Sequence, residues 1–140
     1  MEEKTIKIKV YDAVKNICYE EEVPYVYDIV KGKQDKINEL ENHISNIRSQ
    51  GIEYNNQLWS IDEECEKNLT SQITMLSFAP SEKVAWFSKS QANELTLDEF
   101  RELALVLSQA IANAKMKYYT YKNAIELAQT EEELNAIIFE

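Results

Sequence analysis

Histidine, cysteine and converging carboxylates supply most metal sites and most acid–base or nucleophilic catalysis, and this sequence keeps them apart. His43 is the only histidine. With no second histidine, no cysteine within helical reach and no evident carboxylate partner, it makes neither a zinc site nor a catalytic triad. Cys18 and Cys65 are isolated from each other and from other ligand types. They read as two reduced, small hydrophobic residues of a cytoplasmic protein rather than as a bridge. Two glycines in the whole chain preclude the Gly-rich phosphate loops, and neither GxSxG nor HExxH occurs. The acidic run Glu20-Glu21-Glu22 reads as a solvated strand face, because calcium is held by carboxylates that converge from a Gly-containing loop. Residue chemistry thus predicts a non-enzymatic protein with no cofactor, no metal and no small-molecule substrate.

Aromatic residues carry more information. Tyr118, Tyr119 and Tyr121 sit close together with Lys115, Lys117 and Lys122 around them. Tyrosine offers an apolar body and a polar tip, which suits a protein interface as well as the end of a core. Aromatic and basic residues interleaved in this way also occur where single-stranded nucleic acid stacks. The charge opposes that use: 15 Lys and Arg stand against 25 Asp and Glu, a formal net charge of −10. Such a chain repels phosphate backbones. The densest basic segment, Lys31, Lys33 and Lys36, is interrupted by Asp28 and Asp35 and reads as a solvated start of a helix. Trp59 and Trp86 read as core anchors of short hairpins.

The elements that must position these residues follow from periodicity. With 140 residues, 44% of them hydrophobic, the chain suffices for one domain with a small appendage, and its two Gly and two Pro favour helix over a many-stranded sheet. Thr5-Ile6-Lys7-Ile8-Lys9-Val10 alternates with period two and puts Ile6, Ile8 and Val10 on one face of a strand. Ile17 to Val23 returns as a second strand that Pro24 ends, and Tyr25 to Val30 is again β-prone. Residues 1–32 are therefore expected to form a β arm or small sheet, marginal alone and in need of a packing partner. Ile37, Leu40, Ile44 and Ile47 form one helical stripe, with Arg48 off it, which predicts a helix over 33–50 closed by a left-handed Gly51. Asn55-Asn56, flanked by aromatic and branched residues, predicts a tight hairpin. Ser60 to Glu63 has the capping-box spacing and predicts a helix over 61–77 with Ser60 as its N-cap. Val84 to Phe87 and Glu94-Leu95 are short β-prone runs.

A second capping box, Thr96 to Glu99, opens the longest helix, with Leu95 placed to staple against Phe100. Phe100, Leu103, Leu107, Ala110, Ala114, Tyr118, Tyr121, Ile125 and Ala128 recur at spacings of three and four, a coiled-coil-like seam with one stutter. A helix over 97–128 is about 48 Å long, so part of it is expected to project or to be covered by another chain. Thr130 to Glu133 starts a last short helix with Leu134, Ile137 and Ile138 facing inward. No segment resembles a signal peptide, and no apolar run approaches the length of about 18 residues that a membrane span needs. The fold class expected is α+β, mostly helical, in two units: the arm at 1–32 and a helical domain with short hairpins at 33–140.

Residues 35–139 resemble an uncharacterised domain family of bacteriophage and prophage proteins encoded in or near tail-fibre and tail-assembly regions. The resemblance is carried by Gly51-Ile52-Glu53-Tyr54-Asn55-Asn56-Gln57-Leu58-Trp59 with Asp62, by the strand with Trp86, by Glu94-Leu95-Thr96-Leu97-Asp98-Glu99-Phe100 and by Ile125 to Leu134. The chain departs from the family pattern at Ser88 to Asn93, where a shorter acidic or Gly-containing turn is common. The resemblance implies a virion-associated structural protein of the tail or its fibre attachment, with a tail-fibre assembly chaperone or a small ligand-binding module as alternatives. Its partners would be other phage structural proteins or further copies of the chain, with neither nucleic acid nor membrane involved. The residues expected to meet them are Ile6, Ile8, Val10, Tyr25 and Tyr27 on the arm, and Tyr118, Tyr119 and Tyr121 on the long helix.

Overall fold

The computed structural model describes residues 4–140; residues 1–3 of the expected arm lie outside the described residues. The elements run β1 (Thr5–Asp12), β2 (Ile17–Pro24), α1 (Ile29–Gln50), β3 (Ile52–Tyr54), β4 (Gln57–Trp59), α2 (Glu63–Phe78), β5 (Lys83–Phe87), β6 (Ala92–Thr96), α3 (Leu97–Leu127) and α4 (Glu131–Asn135). The architecture is α+β and mostly helical. Its strands form three separate antiparallel hairpins, β1–β2, β3–β4 and β5–β6.

The first hairpin turns on Asp12, whose carboxylate accepts from the Val14 and Lys15 amides at 3.0 and 3.1 Å. Asn16 follows in the left-handed region with φ of 54°, a conformation that Asn tolerates. The β-prone Tyr25 to Asp28 then runs as a connection and not as a strand. The helix begins at Ile29, so a boundary between residues 32 and 33 falls inside α1. The cause is local. Asp28 caps the helix by accepting from the Lys31 amide at 3.1 Å, which satisfies one of the free N–H groups of the first turn. Tyr27 meanwhile lies over Gly32. A Cβ at Gly32 would sit 1.9 Å from the Tyr27 hydroxyl oxygen, so the glycine makes room for the tyrosine.

Within α1 the fully covered stripe is Leu40, Ile44 and Arg48, with Ile37 and Ile47 at its flanks. Arg48, expected off the stripe, is buried because it lies four residues beyond Ile44. Gly51 ends the helix, but in an extended conformation with φ of 79° and ψ of −162°, not in the left-handed helical form. That geometry sends the chain straight into β3. Asn55 and Asn56 both take positive φ, 49° and 60°, as a two-residue hairpin turn of this hand requires.

Ser60 is not the cap of α2. Ile61 is held outside the helix, its amide donating to the Arg48 carbonyl at 3.1 Å and its side chain sunk in the core. The helix therefore starts two residues later, at Glu63, with Asp62 accepting from the Cys65 amide at 2.9 Å. The Thr96–Glu99 capping box forms with both reciprocal bonds, at 3.2 and 3.0 Å. At α4 only half a box forms: Thr130 accepts from the Glu133 amide at 3.1 Å, while the Glu133 carboxylate takes the Gln129 amide. Leu134 is buried and Ile137 half-buried, but Ile138 points to solvent.

Two hydrophobic cores share α3. The first gathers Phe100, Leu103, Leu107 and Ile111 with Trp59, Ile61, Leu69 and Val84. Trp59 donates its indole N–H to the Tyr54 carbonyl at 3.0 Å, and Trp86 meets Phe100 edge-on at 5.5 Å. The second core joins Ile125 and Ala128 to Leu40, Ile44 and Leu134, with Tyr27, Tyr118 and Tyr121 packed against it. The apolar seam of α3 is thus buried against elements of the same chain, while Leu105, Met116, Tyr119 and Leu127 on its other faces are exposed. β1 and β2 contribute to neither core.

Gly51 tests this framework. Its conformation is one that essentially only glycine adopts, and a Cβ there would lie 2.0 Å from the Trp59 carbonyl oxygen. Gly51→Ala is expected to lower stability by about 1–3 kcal/mol from the backbone conformation alone, and the fall is read as a lower urea midpoint. An unchanged midpoint would contradict the close approach of Gly51 to β4.

Candidate interaction surfaces

The side chains capable of chemistry remain dispersed. Among the described residues, no three His, Cys, Asp or Glu residues are grouped so as to hold a metal ion. His43 is half-buried and stacks on Phe139 at 5.7 Å. Its Nε2 has no hydrogen-bond partner. Both cysteines are free thiols. Cys65 is partly covered, and burial pushes its thiol up from the ordinary value. Cys18 is exposed on the arm.

In the basic segment at the start of α1, Lys31 is exposed and Lys33 and Lys36 are partly covered. Lys33 donates to the Glu126 carbonyl at 2.7 Å, at the C-terminal end of α3, where the helix dipole favours a cation. Lys36 lies over the Phe139 ring, 5.0 Å from its centroid.

Between α1, the start of α2 and α3 lies an open groove of about 560 Å³, lined by Ser45, Arg48, Asp62, Glu63, Lys115 and Tyr119, among others. Its floor is an ion network. Arg48 donates Nε to the Ile61 carbonyl at 2.7 Å and Nη2 to Glu66 at 2.5 Å. Lys115 donates to the other Glu66 oxygen. These cations hold the Glu66 carboxyl below its ordinary value, the Lys115 bond being the largest cause. Because both cations are engaged by Glu66, the groove presents no free cationic pair to an anion. Glu66 was missed from the sequence. Arg48 carried a signal, its spacing of four from Ile44, that the Ile37–Ile47 stripe obscured.

The tyrosines of α3 divide. Tyr118 and Tyr121 pack against the second core, and Tyr121 accepts from the Glu140 amide at 3.0 Å through its hydroxyl. Tyr119 stands 63% exposed on the groove wall, edge-on to Tyr118 at 5.3 Å. Of the arm tyrosines, Tyr27 joins the second core, and Tyr25 lies at the base of the hairpin, its amide donating to the Lys4 carbonyl at 2.8 Å.

The hairpin itself is the most open surface. Its register sets Ile6 opposite Val23, Ile8 opposite Glu21, Val10 opposite Tyr19 and Asp12 opposite Ile17. One face is therefore apolar apart from Glu21 and Asp12, and Ile6, Ile8, Ile17 and Tyr19 on it are 45, 38, 48 and 44% exposed. The other face pairs Lys7 with Glu22 and Lys9 with Glu20. No further strand borders either edge among the described residues. Ile6, Ile8 and Val10 share one face, as the period-two pattern requires. Among the described residues, no helix is long and apolar enough to cross a membrane. Comparison with protein-family models, with curated proteins and with solved structures finds no match to this chain.

The ion network has a pH signature. A carboxyl whose folded-state pKa is lowered stabilises the fold above its ordinary value, 4.5 for Glu66, and that contribution is lost as pH falls through the lowered value. Wild-type stability is expected to drop, as pH falls below about 5, more steeply than that of Glu66→Gln. Equal slopes in chemical denaturation would show the network to be without effect. Arg48→Ala, which leaves the Ile61 carbonyl and Glu66 without this donor, is expected to cost about 2–3 kcal/mol at neutral pH.

Proposed function

We propose that this chain is a non-enzymatic interaction module that docks on partner proteins through the β1–β2 arm and the Tyr119 face of α3. The observation that carries this reading is the arm: a two-stranded hairpin outside both cores, with an apolar face in solvent and two open edges. Two strands without a covering layer are marginal in water, and an exposed sheet edge is a template for a partner's strand. The dispersal of His, Cys and paired carboxylates supports binding over catalysis.

The setting we propose is a bacteriophage or prophage particle, with the protein retained in the virion at the tail or its fibre attachment and bound to other phage structural proteins. The resemblance of residues 35–139 to tail-region proteins supports this setting. The net charge of −10 supports a protein partner over nucleic acid.

Mass spectrometry of purified particles and of the matching lysate tests the setting. The protein is expected in the particles at a fixed ratio to tail components. Presence in the lysate with absence from the particles would overturn virion retention and leave an assembly chaperone. For the Tyr119 face, Tyr119→Ala is expected to change stability by less than about 0.5 kcal/mol and to weaken capture of the partner about fivefold or more. A large stability loss would instead place Tyr119 among the core residues.

A further inference from the structure

The two strands of the arm carry opposite charge. β1 contributes Lys7 and Lys9, and β2 contributes Glu20, Glu21 and Glu22. Like charges directly opposite one another across strands destabilise a sheet, and unlike charges stabilise it. If β1 paired antiparallel with β1 of a second copy about Ile8, Lys7 would face Lys9. If β2 paired with β2 about Glu21, Glu20 would face Glu22. Both of these two-fold registers are therefore opposed. Stacking the apolar faces of two arms is opposed too, because Glu21 projects from the middle of that face, opposite Ile8, and would be buried without a cation.

One arrangement gives both Lys7 and Lys9 an acidic partner, with Ile8 against Glu21 and Asp12 against Ile17 as they already stand in the hairpin. With β2 of one copy beside β1 of the next in the hairpin's own register, Glu22 faces Lys7 and Glu20 faces Lys9. On the other face Val23 meets Ile6 and Tyr19 meets Val10. We infer that the occupant of the open arm is a second copy of this chain, added head to tail, β2 edge to β1 edge. The inference rests on the arm being the docking element, as proposed above. A head-to-tail contact leaves one edge open at each end, so it closes into a ring or runs on, and it does not stop at a two-fold dimer.

Charge reversal in the full-length chain tests this by sedimentation over a range of concentrations. The wild type is expected to form species larger than a dimer. Lys7→Glu with Lys9→Glu, or Glu20→Lys with Glu22→Lys, is expected to weaken association about tenfold or more, since two favourable cross-strand pairs become two repulsive ones. Each double variant also strains its own hairpin, so the decisive sample is their equimolar mixture. There only contacts between unlike chains place opposite charges across the edge, and association is expected to return. A wild type that stays monomeric, an oligomer that neither reversal weakens, or a mixture that fails to associate would overturn the inference. The outcomes separate from those of the particle experiment. A monomeric chain found in particles sinks self-pairing alone, and an oligomer absent from particles sinks the virion setting alone.

Discussion

Burial of a single stripe along α3 is the constraint that organises the domain. The helix is about 46 Å long at 1.5 Å per residue, more than one small core can cover. The chain meets this by building two cores on the same helix. Phe100 to Ile111 is covered by the two short hairpins and α2, and Ile125 to Ala128 by α1 and α4. The stutter in the seam falls between the two, where Ala114 is buried but belongs to neither cluster. Small residues there let the surrounding elements change from one set to the other.

The junction is held by polar contacts. Arg48 on α1, the carbonyl of Ile61 just before α2, Glu66 on α2 and Lys115 on α3 form one connected network. An arginine this covered needs its donors satisfied, and Ile61 both receives the guanidinium on its carbonyl and returns its amide to the Arg48 carbonyl. That reciprocal pair delays α2 until Asp62 can cap it. Helix start, buried charge and the join between the cores are thus one local solution.

The arm stands apart from this economy. Its strands form because alternation, an Asp12 turn and Asn16 agree on a hairpin, yet the domain gives it nothing to pack on. The hairpin is locally well specified and globally uncovered, which is why the proposed docking rests on it. The tyrosine cluster on α3 contributes less than its composition suggested, since Tyr118 and Tyr121 serve the second core and only Tyr119 faces out.

Most elements were legible in the sequence because their signals are local: the period-two run of β1, the Asn55-Asn56 turn, the Thr96–Glu99 box and the unbroken apolar spacing of α3. Helix starts at Asp28 and Asp62 were not, because each competed with a plausible neighbour, the β-prone Tyr25 to Val30 and the Ser60 box. Tertiary packing chose between them by seating Tyr27 over Gly32 and Ile61 in the core. The burial of Arg48 depended likewise on Glu66, eighteen residues away. What the sequence by itself determined is where the chain is helical, where it is extended and which face of each element is apolar, since these depend on neighbours within a few residues. Only the tertiary structure decided which apolar faces cover one another and which stay open. That choice depends on distant residues meeting, and here it closed the seam of α3 within the chain and left the arm exposed.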